Sequence, residues 1–286
     1  MTHTEISFPL PGVESPAGRI FDHGAHVAAW QPEGPPQPVL WLSSASAYQA
    51  GKAIRGGIPI CFPWFGPGLS GDRTPAHGFV RAIPWRRSEV TEHGDTIRVV
   101  YTIDPDITGS QPEFPDDYQA RLTAEFAQHH LAVTLWARNT GDRPFTIEEA
   151  LHTYLAVSDV RQITVEGLDG ATYLDKNLAD PAFDQLQAGP LRLTGPTDRV
   201  HIHGGPVTVV DPGFGRRIQL SSEGSADVVV WNPWEDAAAG MADMGAGEWT
   251  GMVCVEAANV LADAVTLRPG EEWAMTQRIE VLPLES

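Results

Sequence analysis

The chain has 286 residues, 42% of them hydrophobic and 20% charged, which excludes a disordered or fibrous polypeptide. Acidic residues outnumber basic ones 37 to 19, giving a formal charge of −18, so the chain lacks the basic footprint of a nucleic-acid binder. With 28 glycines and 24 prolines the sequence is punctuated too densely for long helices and suits many short elements joined by turns.

Met1-Thr2-His3-Thr4-Glu5 has neither a basic region nor an apolar one, so no signal peptide is expected. The longest apolar runs are about six residues, far short of the ~20 that cross a bilayer. The two cysteines, Cys61 and Cys254, sit inside apolar runs and are too few for a disulfide framework. Together these features predict a soluble, cytoplasmic protein with no membrane contact.

Taken in chain order, the elements read as strands. Period-2 or β-rich patterns cover Thr96–Ile103, Tyr118–Phe126, Leu131–Arg138, Phe145–Val157, Gln162–Val165 and Val207–Val210. They continue through Arg216–Ser221, Asp227–Trp231, Met252–Glu256, Val265–Leu267 and Trp273–Val281. In Leu131–Arg138 the alternation is clear, with Leu131, Val133, Leu135 and Ala137 on one face. Only Asp180–Gln187 and Glu235–Met244 suggest short helices. The pattern predicts an all-β sandwich or barrel, and with no repeat or linker dividing the chain, one domain over residues 1–286.

Three clusters carry candidate chemistry. The first runs from Lys52 to Trp85. Arg55 precedes Gly56-Gly57, where a backbone without Cβ atoms admits a close ligand, and its guanidinium suits carboxylate or phosphate oxygens. Trp64 and Phe65 suit the apolar face of a sugar ring, and the same segment also reads as a structural Pro/aromatic loop.

The second cluster is Phe145–Tyr154. As one strand it places Glu148, Ala150, His152 and Tyr154 on a common face, where His152 would serve as a proton-transfer group or as a satisfied half-buried histidine. In the third cluster Glu256 ends the apolar run Met252–Val255. That suits either a perturbed functional carboxylate or a buried partner for an arginine. Trp231 and Trp234 in Asp227–Trp234 fit either core packing or a carbohydrate groove. His201, His203, His23 and His26 form no metal motif such as His-Glu-x-x-His, and Walker loops and Gly-x-Ser-x-Gly elbows are absent.

In order along the chain, Ile54–Pro59, Phe62–Gly66, His77–Arg81, Glu149–Tyr154, Val165–Leu168 with Tyr173–Asp175, Thr197–Val200, Val230–Trp234 and Met252–Val260 resemble the glucose-6-phosphate 1-epimerases. These are hexose-6-phosphate mutarotases of the aldose-1-epimerase-like superfamily. The resemblance implies an all-β, galactose-mutarotase-like β-supersandwich. It also implies a sugar phosphate as small-molecule partner, a monomer, and neither cofactor nor metal. By position His152 looks like the general acid and Glu256 like the general base. Arg55, His77, Arg81, Asp198 and Trp231 look like substrate-binding residues. This sequence departs from the pattern at Ala76, where some relatives carry a polar contact residue, and at the acidic Glu235-Asp236. An aldose 1-epimerase for unphosphorylated sugars and a noncatalytic carbohydrate-binding module are the two alternatives.

Overall fold

The computed structural model describes residues 5–9, 17–34 and 36–284. The first four residues, on which the expectation of no signal peptide rests, lie outside them. Two eight-stranded antiparallel sheets dominate. The first runs Phe183–Leu186, Thr172–Asp175, Thr197–Ile202, Asp227–Asn232, Met252–Asn259, Glu149–Leu151, Ile60–Cys61, with Tyr154–Ala156 also paired to Met252–Asn259. The second runs Thr164–Glu166, Val207–Asp211, Arg216–Glu223, Glu272–Pro283, His130–Asn139, Tyr118–Phe126, Thr96–Ile103, Arg86–His93. Glu5–Phe8, Gly18–Phe21 and His26–Trp30 form a smaller sheet, and Val265–Leu267 pairs with Phe145–Ile147. Among the described residues no helix is long and apolar enough to cross a membrane.

The all-β expectation holds, with instructive differences. Phe145–Val157 is three short strands rather than one, interrupted at Glu148 and again at His152-Thr153. Asp180–Gln187 is not helical. Its Phe183–Leu186 is an edge strand paired with Thr172–Asp175, its side chains alternating between half-buried and exposed. Glu235–Met244 contains a helix, but it spans Trp234–Ala239 and stops at Gly240. Arg86–His93 escaped the sequence reading because every residue is exposed. As a charged edge strand it has no buried face to alternate against, and its charges blunt further pairing.

The central strand Met252–Asn259 is buried on both faces. Val253, Val255 and Ala257 join the main core, and Gln277 of the second sheet donates its amide to the Val255 carbonyl. Strand alternation turns Cys254 and Glu256 to the opposite face.

Candidate active site

Register builds the site. Tyr154 pairs with Cys254, Cys254 with Trp231, and Trp231 with Asp198, so one row of side chains crosses four strands on one face. One step along, Glu256 lies opposite Val229. His152 falls where the chain lets go of Met252–Asn259, between the Leu151–Ala257 and Tyr154–Cys254 pairings. Its N–H turns instead to the Pro59 carbonyl. This break in the strand frees His152 from the ladder and sets it beside Glu256.

Trp231 and Asp198 of this row line a cleft of about 450 Å³. All seven residues singled out from the sequence line it: Arg55, His77, Arg81, His152, Asp198, Trp231 and Glu256. His152 Nδ1 lies 3.4 Å from Glu256 Oε1, and neither atom, nor Glu256 Oε2, has a hydrogen-bond partner among the described residues. Both side chains are buried. Burial pushes the Glu256 carboxyl well above the usual carboxylate range, against the favourable charges of Lys176 and Arg81. Burial likewise holds His152 well below the usual imidazole range, helped by His77, Arg81 and Arg55. The His152 ring stacks on Tyr154, centroids 4.8 Å apart, and meets Trp231 edge-on at 5.9 Å.

The Ile54–His77 region forms one wall. Phe65 faces the cleft, as expected for a sugar-stacking residue. Trp64 does not. Its indole N–H donates to the Pro75 carbonyl and it lines a separate cavity of about 340 Å³ behind the loop. His77 has φ +66°, a left-handed conformation held by its N–H to the Gly66 carbonyl. The Gly66 N–H in turn donates to His77 Nδ1, so the neutral ring carries its proton on Nε2. Trp234 packs on Trp249 at 4.7 Å, away from the cleft. Glu148 is structural, its carboxylate accepting from the Phe65 and Leu261 backbone N–H groups.

The cations of the cleft are unequal. Arg55 Nε and Nη2 donate to Asp243, and Nη1 donates to the Tyr154 hydroxyl at 2.9 Å. Arg81 gives one bond to the Ala76 carbonyl and, among the described residues, has no acidic partner. Lys176 stands 3.7 Å from Asp198 and 4.3 Å above the Phe65 ring. Lys176 in the cleft and Asp243, which holds Arg55, are the residues that sequence reasoning missed. The Tyr173-Leu174-Asp175 motif ends one residue before Lys176, which was the available signal. Glu235 and Asp236, the acidic departure noted in the sequence, do not line the cleft.

The aldose 1-epimerase family profile matches residues 18–280. A Cenchrus ciliaris protein provisionally named glucose-6-phosphate 1-epimerase is 31% identical over 96% of this chain and 84% of its own length. An Escherichia coli K12 protein of the same provisional name is 34% identical over 82% of this chain and 77% of its own. The crystal structure of a provisionally named mutarotase from Salmonella typhimurium superposes with a TM-score of 0.85 at 27% identity, covering 98% of this chain and 90% of that one. A galactose mutarotase-like protein from Clostridium acetobutylicum shares the fold at TM-score 0.69 and 15% identity, over 98% and 96% of the two chains. The galactose-mutarotase-like architecture is therefore the one this sequence adopts. The chain belongs to the aldose 1-epimerase family and is an isomerase of the mutarotase type.

Proposed function

We propose that this protein interconverts the α and β anomers of hexose 6-phosphates, glucose 6-phosphate foremost, and that the His152–Glu256 pair moves the protons. The observation that carries the reading is the 3.4 Å approach of two otherwise unpartnered side chains in a cleft that also presents Arg55, Arg81 and Lys176. Anomer exchange needs one group to take the C1 hydroxyl proton and another to protonate the ring oxygen. The ring opens to the aldehyde, the C1–C2 bond turns, and closure on the other face reverses both transfers. In this reading Glu256 is the base and His152 the acid. A hydroxyl donating to Glu256 gives the buried carboxylate the hydrogen bond that the protein withholds. As the sugar binds, the proton of the resting pair passes from Glu256 to His152, and the imidazolium stands beside the carboxylate that compensates its charge.

Phe65 and Trp231 would flank the ring, and Asp198 and the His77 Nε2–H would bind hydroxyls. The cations would take the phosphate, with Arg81 contributing most because its charge is uncompensated. The cleft is this local patch of positive side chains on a protein of charge −18. The test is kcat/KM for glucose 6-phosphate, glucose and galactose side by side. A marked preference for the phosphosugar supports the reading, and equal or better turnover of galactose replaces it with a free-sugar epimerase.

A further inference from the structure

Cys254 is a nucleophilic group on the site's face that proton transfer leaves unused. It is fully buried beneath the cleft, next to Glu256 on the same face of one strand and beside Tyr154 in register. One donor atom each from His152, Cys254 and Glu256 all lie within 4.8 Å of one another. The His–Glu separation of 3.4 Å is already the edge length of a tetrahedron with metal–ligand distances of about 2.1 Å. The imidazole and carboxylate atoms are buried and unpartnered, so coordination would cost no existing hydrogen bond.

We propose that His152, Cys254 and Glu256 form an inhibitory site for a thiophilic divalent cation, Zn²⁺ or Cd²⁺. Binding closes the set by a shift of about 1 Å in the sulfur, since zinc–sulfur bonds are ~2.3 Å long. The Cys254 thiol loses its proton to solvent as the metal–sulfur bond forms. Thiolate and carboxylate together then balance the dication. Three protein donors leave a fourth position open toward the cleft, in the manner of an open rather than a closed zinc site. Arg81 and Lys176 oppose a cation, so affinity falls far below that of closed structural sites. Metal and sugar need the same His152 and Glu256 atoms, so they exclude one another.

This inference rests on the proposed reaction only for the inhibition readout, and metal binding is measured without it. Wild type, Cys254→Ser and Cys254→Ala, each first shown by circular dichroism to be folded, are titrated with Co²⁺ and followed by absorption. The expected result is a sulfur-to-cobalt charge-transfer band in wild type, abolished in both variants and displaced by Zn²⁺. Zn²⁺ at ten times its dissociation constant should raise the apparent KM for glucose 6-phosphate about tenfold in wild type, with a much smaller effect in the variants. Absence of the band in wild type, or equal Zn²⁺ inhibition of all three proteins, overturns the site. A band in a protein that turns over no sugar sustains the metal site and defeats the proposed function instead.

Discussion

Asp243 grips Arg55 beside the cleft with both carboxylate oxygens, taking bonds from Nε at 3.1 Å and Nη2 at 3.2 Å. With Nη1 on the Tyr154 hydroxyl, three of the guanidinium's five N–H donors are committed before any ligand arrives. The arginine is fixed in plane and its charge is half answered. Replacing Asp243 by Asn keeps one acceptor and removes the opposing charge. KM for glucose 6-phosphate should then fall by about fivefold, the equivalent of roughly 1 kcal/mol across a few ångströms of wet protein, while that for glucose holds. A rise in KM for both sugars would mean that Asp243 matters by holding Arg55 in place.

Arg81 carries no such counter-charge. Arg81→Ala should lower kcat/KM for glucose 6-phosphate by about 10- to 100-fold, the value of a charge-assisted hydrogen bond, and leave glucose nearly unchanged. Equal losses on both substrates would place the phosphate elsewhere.

Gly78 has φ +73°, and a Cβ there would run into the Phe62 carbonyl. Gly78→Ala must move the backbone beside His77. It should cost about 1–3 kcal/mol of stability, read by denaturant unfolding, and reduce turnover with it. An alanine variant of native stability and activity would show that the His77 turn has slack.

Glu149 is buried, with Oε1 accepting from Asn259 and burial pushing its carboxyl up to about 7. Its folded pKa lies above the unfolded value, so the native state holds the proton more tightly. Stability is therefore lost as pH rises from about 4.5 through 7, by roughly 3 kcal/mol from this group. Glu149→Gln should flatten that decline and melt above wild type at pH 8. An unchanged pH profile of Tm would show that the carboxyl ionises freely in the fold.

The strands with one solvated and one buried face were legible from alternation, as in Leu131–Arg138. Two edge strands were not. Arg86–His93 has no buried face, and Phe183–Leu186 is too short and too shallowly buried to separate strand from helix. Glu256 stood out because a carboxylate ending an apolar run needs a reason, and His152 because it shares a polar strand face with Tyr154 and Glu148. The family resemblance pairs them as acid and base, and the broken strand, where His152 leaves the ladder opposite Glu256, shows how they come into contact. Asp243 escaped because it lies 188 residues from Arg55 and in no apolar pattern. Trp64 and Phe65 are adjacent in sequence, and only the fold decides that one faces the cleft and the other packs behind it.

The proposed role of the His152–Glu256 pair is tested most directly by two-dimensional exchange NMR of glucose 6-phosphate anomers at equilibrium. Wild type, His152→Ala and Glu256→Gln are compared with the spontaneous rate. Wild type should accelerate exchange, and each variant should lose about 10²–10⁴-fold of that acceleration while remaining folded. A folded His152→Ala or Glu256→Gln protein that exchanges anomers as fast as wild type would contradict the account.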